Sequence, residues 1–256
     1  MRTRTIGAVL TMALTAVLPT EAQWLNVPAK GLPRTTDGKV DMNAPAPRMP
    51  DGKTDLRGIW MPQGRFIFDI ASGMKPDDIP YQPWAKALYD SRQANESIDD
   101  PVGHCIPAGV PRADVVPYPW KLLQLPDEFV ILYEAVHGFR QIFMDGRAMP
   151  KDPNPTWMGY SAGHWDGDTL VVETAGFNDK GWLDNAGRPA TDALRVTERL
   201  TRKNIGQLTL AITIDDPKAY TKPWMVNETF RLLADTDLLE YVCNENNKDL
   251  GHLVGK

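Results

Sequence analysis

From Trp120 onward, apolar and polar residues alternate with a period of two, which is the pattern of half-buried β-strands. Turn signals such as Pro126-Asp127 separate the alternating runs at short intervals. With one earlier run included, ten strands are predicted, at 55–60, 121–125, 128–135, 139–144, 159–165, 168–175, 194–202, 207–214, 225–233 and 238–243. Nearly all of them are joined as hairpins, so the pattern predicts an antiparallel sheet. A sheet of this size removes its exposed edges by closing on itself, which favours an up-and-down β-barrel.

One helix is predicted, over about residues 81–95, because Pro83 lies near its start and the apolar residues that follow recur at i, i+4. Prolines are frequent in 23–54 and again in 99–119, where we expect irregular loops. No strand–helix–strand rhythm occurs, which disfavours a parallel sheet. The expected fold class is therefore mainly all-β, an antiparallel up-and-down barrel with one helix and long proline-rich N-terminal loops.

The first residues of the chain have the features of an export signal. Arg2 and Arg4 precede an uncharged, mostly apolar run over 6–18, and Thr20-Glu21-Ala22 offers the small residues of a cleavage site. The run is shorter than the roughly 20 residues that a membrane helix needs, although an uncleaved anchor is the alternative. No later segment is apolar for long enough, so no membrane insertion is expected after cleavage. The expected domains are a signal peptide at 1–22, an irregular N-terminal arm at 23–54 and a single barrel domain at 55–256.

Export to the periplasm or the medium changes the meaning of the two cysteines, Cys105 and Cys243. An even number of cysteines in an oxidising compartment favours a disulfide, and two buried thiols are the alternative. The bond would close a long loop and stabilise the fold by about 5 kcal/mol in the chain-entropy description.

Composition narrows the classes of partner. The chain is 42% hydrophobic, enough for a core, and its net charge is −5, which argues against nucleic acid as a partner. It contains no G-x-G-x-x-G after a strand, no phosphate-binding loop and no HExxH, so no cofactor or metal is predicted. A metal held by residues from distant strands stays open, and the oligomeric state is not indicated.

One predicted hairpin, turning at Asp166-Gly167, separates its residues into two faces. Leu170 and Val172 belong to the face expected to pack, with Ser161, Gly163, Trp165 and Thr174. The other face carries Tyr160, Ala162, His164, Thr169, Val171 and Glu173. This second face is either solvated or a polar lumen. In a lumen, Tyr160, His164 and Glu173, together with Glu134, would form an acid–base set.

Several arginines have two interpretations. Arg140 and Arg147 lie near Glu134 and Asp145 around one hairpin, where salt bridges between strands would explain them. Alternatively, their guanidinium groups bind a planar anion. Arg199 shares a predicted strand face with a second arginine, and ion pairs to Glu228 or Asp216 would account for both. The candidate ligand-binding residues are Arg140, Arg147, Trp157 and Arg199.

Residues Gly159-Tyr160-Ser161-Ala162-Gly163 fit G-x-S-x-G, the nucleophile elbow of serine esterases. That chemistry needs a helix directly after the serine, whereas a hairpin is predicted here. The sequence therefore disfavours a serine esterase.

Two resemblances add to these predictions. Residues 145–147 and 154–161, followed by 163–174 and 176–178, resemble a large uncharacterised family of exported bacterial proteins. This resemblance implies export but no particular activity. Separately, Gly58-Ile59-Trp60 is similar to the G-x-W of lipocalins, whose barrels hold small apolar ligands. The predicted barrel is in this sense lipocalin-like.

Two functions are therefore expected. The first is a lipocalin-like barrel that binds a small, largely apolar or aromatic molecule. The alternative is a cofactor-independent lyase, isomerase or hydrolase that uses Tyr160, His164, Glu173 and Glu134 inside the barrel.

Overall fold

A computed structural model describes residues 27–63, 69–135, 138–243 and 245, and in this structure nine strands close into a barrel. The strands are β1 (Gly58–Pro62), β2 (Trp120–Gln124), β3 (Glu128–Tyr133), β4 (Phe139–Phe143), β5 (Tyr160–Asp166), β6 (Thr169–Ala175), β7 (Arg195–Arg202), β8 (Gln207–Asp215) and β9 (Trp224–Leu232). They follow one another around the barrel in sequence order, and β9 pairs with β1. The expected signal peptide at 1–22 lies outside the described residues.

The prediction of a mainly β protein with a closed barrel is confirmed, but two details are wrong. The pair β4–β5 is parallel, because residues 144–159 carry the chain back to the end of the barrel at which β4 began. Parallel neighbours need such a long crossover, and here three prolines keep it irregular. In addition, residues 238–243 form no strand.

In the described part of the chain, helices occur only in the long connection between β1 and β2, where a second, short helix accompanies the one that was predicted. The described part of this connection contains α1 (Pro83–Ala94), the short α2 (Arg112–Val115) and 3₁₀ turns at Pro76–Asp78 and Pro101–His104. Helix α1 occupies the predicted region and begins at Pro83, whose missing N–H needs no partner there. In the described part of the chain, no helix is both long and apolar enough to cross a lipid bilayer.

The two ends of the barrel differ. We call the end at which β1 ends and β2 begins the loop end, because the connections 63–119, 176–194 and 216–223 all lie there. The opposite end, the hairpin end, carries three short hairpin turns and the start of β1.

The hairpin end is sealed by Trp60 and Arg202. Trp60 is fully buried and its indole N–H donates to the Leu56 carbonyl at 3.0 Å. The guanidinium of Arg202 stacks on this ring at 4.9 Å and donates to the carbonyls of Asp55 and Ile205, each at 2.7 Å. These contacts hold the Arg202 side chain across the hairpin end of the barrel.

Side chains fill the barrel interior. Inward-facing residues alternate with outward-facing ones along β2 and β8, as the period-two pattern predicts. Fully buried inward residues include Leu122, Phe129, Ile142, Leu170, Val172, Leu208, Leu210, Ile212, Ile214 and Phe230. Where these residues lie, the barrel interior is a packed core.

A disulfide joins Cys105 to Cys243, as predicted. After β9, the chain runs along the outside of β2, where Asp237 pairs with Lys121 at 2.7 Å and Leu239 donates its N–H to Glu134 at 3.0 Å. The crosslink then fixes the end of this segment to the loop that precedes β2.

Arg202→Met tests the seal of the hairpin end. The substitution leaves several buried carbonyls without donors, so we expect the free energy of unfolding to fall by about 3 kcal/mol. Urea denaturation followed by tryptophan fluorescence measures the change. Arg195→Met, at an exposed position of the same strand, is the control and should change stability by less than about 0.5 kcal/mol. Equal effects of the two substitutions would contradict the proposed seal.

Candidate functional site

The predicted acid–base face of β5 and β6 lies outside the barrel. His164 pairs with Val171, whereas a two-residue turn at Asp166-Gly167 would pair it with Thr169; this shift of two residues leaves each side chain on its predicted face. His164 and Glu173 are exposed, and the opposite face, with Leu170 and Val172, is buried in the core. The open question about this face is thereby answered: it is solvated and lines no lumen.

The other predicted site residues are also apart from one another. Glu134 accepts the N–H of Leu239, and Tyr160 contacts Arg147 at 3.4 Å on the outer surface. Trp157 is half-buried in the crossover before β5. The structure does not assemble these side chains around one cavity, and their roles stay predictions.

Two of the predicted ligand-binding arginines are paired on the surface instead. Arg147 forms a two-pronged ion pair with Asp145. Arg199 pairs with Asp166 at 2.6 Å, so the partners expected for it, Glu228 and Asp216, are wrong. Exposed ion pairs of this kind contribute little to stability.

Arg140 lies inside the barrel, where all five of its N–H groups are used. Its Nε donates to Ser161 Oγ at 3.1 Å, and one terminal nitrogen donates to both Asp114 and Glu198 at 3.2 Å. The other terminal nitrogen donates to Thr174 Oγ1 at 2.8 Å and to the second oxygen of Glu198. Salt bridges therefore explain this arginine, and no N–H is left for a ligand.

We call Arg140 and the four side chains that accept hydrogen bonds from it the Arg140 cluster. One of these side chains, Asp114, has an unusual proton equilibrium. Tyr133 donates its O–H to Asp114 at 2.6 Å, and the carboxyl of Glu198 lies within hydrogen-bonding distance. Burial, reinforced by the negative charge of Glu198, raises the pKa of Asp114 to about 7. One guanidinium faces two carboxyl groups, so the cluster keeps a proton near neutral pH.

Ser161, the serine of the G-x-S-x-G pattern, belongs to the same cluster. Its hydroxyl contacts Thr174 Oγ1 at 3.0 Å, and the residues that follow it continue as a strand. The two glycines of the pattern are required by packing, because a Cβ on Gly159 or Gly163 would lie 2.7 Å from a neighbouring side-chain atom. The pattern is therefore a packing feature, and nothing described here makes this serine a nucleophile.

Glu228 is an inward-facing carboxyl group without a partner. It lies on the inner face of β9 between Val226 and Phe230, both of which are buried. The described residues provide it with neither a hydrogen bond nor an ion pair, and burial raises its pKa. Its side chain is half-buried, and the backbone pairing of β1 with β9 reaches Gln63, whose N–H donates to the Thr229 carbonyl at 2.8 Å.

An aromatic cluster lies next to this end of β9. Tyr220 contacts Tyr81 and Trp224, with ring centroids 5.5 and 5.4 Å apart, and Arg188 stacks on Tyr89 at 5.1 Å. We call these five residues the Tyr81 cage. Among the described residues, four buried side-chain N or O atoms lack a hydrogen-bond partner, and three of them belong to the cage: Tyr81 Oη, Arg188 Nε and Trp224 Nε1.

A surface groove of about 600 Å³ at the hairpin end offers a useful contrast. Two ion pairs join residues of the groove itself, Arg57 with Asp55 at 2.7 Å and Lys121 with Asp237, so a ligand over them would have to displace an existing contact. Lys30, which also lines the groove, forms no ion pair among the described residues. The Glu228 carboxyl beside β9 has no such competitor.

Sequence reasoning missed Glu228 and the Tyr81 cage as site residues. The signal for Glu228 was available, since Trp224, Val226, Glu228 and Phe230 alternate on one strand face and only one of them is charged. The cage was not readable in this way, because Tyr81, Arg188 and Tyr220 come from three separate connections.

Neither a metal site nor a relative adds to this geometry. The described residues contain no group of three or more His, Cys, Asp and Glu side chains that could hold a metal ion. Comparisons of the chain with protein-family models, with curated proteins and with solved structures find no match.

Asp114→Asn tests the proton held by the Arg140 cluster. Because the pKa of Asp114 is higher in the folded chain than in the unfolded one, its contribution to stability is complete below about pH 4 and is lost as the pH rises through about 7. We expect the wild-type protein to lose up to about 4 kcal/mol over this range through this group. Asp114→Asn, which cannot ionise, should lack that part of the loss.

Urea denaturation at a series of pH values measures the difference. Asp127→Asn, in the exposed β2–β3 turn, is the matched control and should follow the wild-type curve. Parallel curves for the wild type and Asp114→Asn would show that Asp114 holds no proton near neutral pH.

Proposed function

We propose that this protein is an exported, lipocalin-like barrel that binds a small, largely apolar or aromatic molecule beside β9, with Glu228 as a polar anchor. The observation that carries the proposal is the unpartnered, partly accessible carboxyl of Glu228 on an otherwise apolar inner face. Ligand pockets typically combine apolar walls with a few placed polar groups.

The physical cost of Glu228 supports this interpretation. A carboxyl group withdrawn from water without a hydrogen bond destabilises the fold, so its placement calls for a benefit elsewhere. A ligand that donates an N–H or O–H to this group removes the cost. Arg140 and Arg202 carry no such cost, because their N–H groups already donate to protein oxygens.

Access favours the loop end. Trp60 and Arg202 seal the hairpin end, and Trp60 belongs to the Gly58-Ile59-Trp60 sequence that resembles lipocalins.

Export to the periplasm or the medium is part of the proposal. It is supported by the basic and apolar N-terminal sequence and by the disulfide between Cys105 and Cys243. The alternative of a cofactor-independent lyase, isomerase or hydrolase loses its main support, because Tyr160, His164 and Glu173 lie on the outer face.

Two fluorescent or competing probes of nearly equal shape test the proposal. N-phenyl-1-naphthylamine carries one N–H donor, and 1-phenoxynaphthalene replaces that N–H with an ether oxygen. We expect the wild-type protein to bind the amine about tenfold more tightly, since one hydrogen bond to a carboxyl oxygen supplies a difference of this size. Glu228→Leu should bind both probes with similar affinity.

Fluorescence titration measures the amine directly, and displacement of the amine measures the ether. Asn227→Leu, on the outer face one residue before Glu228, is the matched control and should keep the preference. The proposal fails if neither probe binds, or if Glu228→Leu keeps the same preference for the amine.

A further inference from the structure

The Tyr81 cage contains a buried polar group that has no hydrogen-bond partner in the protein. Elsewhere in the barrel, buried indole N–H groups have acceptors: Trp60 donates to Leu56, and Trp120 donates to the Asp114 carbonyl at 3.1 Å. The indole N–H of Trp224 has none, although this residue is only 6% exposed. A buried donor without an acceptor costs about 1–3 kcal/mol, so the isolation of this N–H needs an explanation.

The polar groups of the cage indicate the chemistry of the missing partner. The Tyr81 hydroxyl lies beside the Arg188 guanidinium, which can donate to its oxygen, so these two polar groups face each other. Trp224 Nε1 can only donate, and it has no acceptor among the described residues. The other buried hydroxyl of the cage, on Tyr220, already donates to the Pro189 carbonyl at 3.0 Å. What the cage lacks is therefore a hydrogen-bond acceptor.

The charges around the cage indicate that this acceptor is uncharged. Arg188 is the cation of the cage, and it is ion-paired with both Asp184, which is buried, and Asp69. Two carboxylates thus face one guanidinium. An anionic ligand would add a third negative charge in a region of low dielectric, where like charges repel strongly.

We propose that the Tyr81 cage binds an uncharged oxygen acceptor of the ligand, such as a ketone, an aldehyde or an ether. The proposal rests on the function proposed above, because Trp224 and Glu228 share the inner face of β9. Four residues along a strand span about 13 Å. The ligand class is therefore an elongated, uncharged, mostly apolar molecule with an oxygen acceptor at one end and an N–H or O–H donor at the other.

A pair of small probes of the same shape tests the cage. 4-Hydroxyacetophenone presents a neutral ketone, and 4-hydroxybenzoate presents a carboxylate of nearly the same size. Isothermal titration calorimetry of the wild-type protein should give binding of the ketone that is at least tenfold tighter than binding of the carboxylate.

Trp224→Phe keeps an aromatic ring but removes the N–H, and it should weaken binding of the ketone by about tenfold. Without ligand, this variant should unfold at the same temperature as the wild type or higher, because it loses no hydrogen bond. Trp84→Phe is the matched control: Trp84 is exposed on α1 and donates to the Lys218 carbonyl, so its loss should leave binding of the ketone unchanged.

Three results would overturn the proposal. The carboxylate binds as tightly as the ketone, Trp224→Phe binds the ketone with wild-type affinity, or Trp224→Phe without ligand unfolds at a clearly lower temperature. The last result would show that a water molecule or the protein already accepts the N–H. If the naphthyl probes still depend on Glu228, the proposed function stands and the cage assignment alone fails; if neither kind of probe binds, both fail.

Discussion

The buried guanidinium of Arg140 constrains more of the structure than any other group. An unpaired charge at this depth would be strongly destabilising, so every N–H must find an oxygen. Those oxygens come from β5, β6 and β7 and from Asp114 in α2, which lies in the long connection before β2. The same connection is fixed to the C-terminal segment by the disulfide of Cys105. The hydrogen bonds of Arg140 thus connect the strands of the closed barrel to the long connection before β2.

The structural sites differ from the candidate binding site in whether their buried polar groups have hydrogen-bond partners within the protein. Arg140 and Arg202 are deeply buried and fully engaged, which suits groups that hold the two ends of the barrel. Glu228 and the Tyr81 cage are different, because the Glu228 carboxyl and the Trp224 indole N–H lack partners in the described part of the chain. A fold tolerates such groups when a ligand completes them, and the resulting site needs no open lumen through the barrel.

The periodicity of the sequence was enough to predict nine of the strands, α1, the closed barrel and the two faces of the β5–β6 hairpin. The side chains lie on their predicted faces even where the predicted register was wrong, because the pairing of His164 shifted by two residues and alternate residues share a face. The parallel pair β4–β5 was not predictable, because periodicity gives no direction to a strand that follows a long loop. Nor could periodicity show which inward polar groups find partners: Glu198 meets Arg140, whereas Glu228 meets none. That difference is created by connections distant in sequence.

The central claim is that a ligand binds beside β9 and leaves the sealed hairpin end unchanged. The indole N–H resonances of the tryptophans report on this directly, because Trp224 lies at the candidate site while Trp60 lies in the seal. In a ¹H–¹⁵N spectrum recorded during titration with N-phenyl-1-naphthylamine, the account predicts a saturable shift of the Trp224 indole signal and no shift of the Trp60 signal. A Trp60 shift with an unchanged Trp224 signal would contradict it.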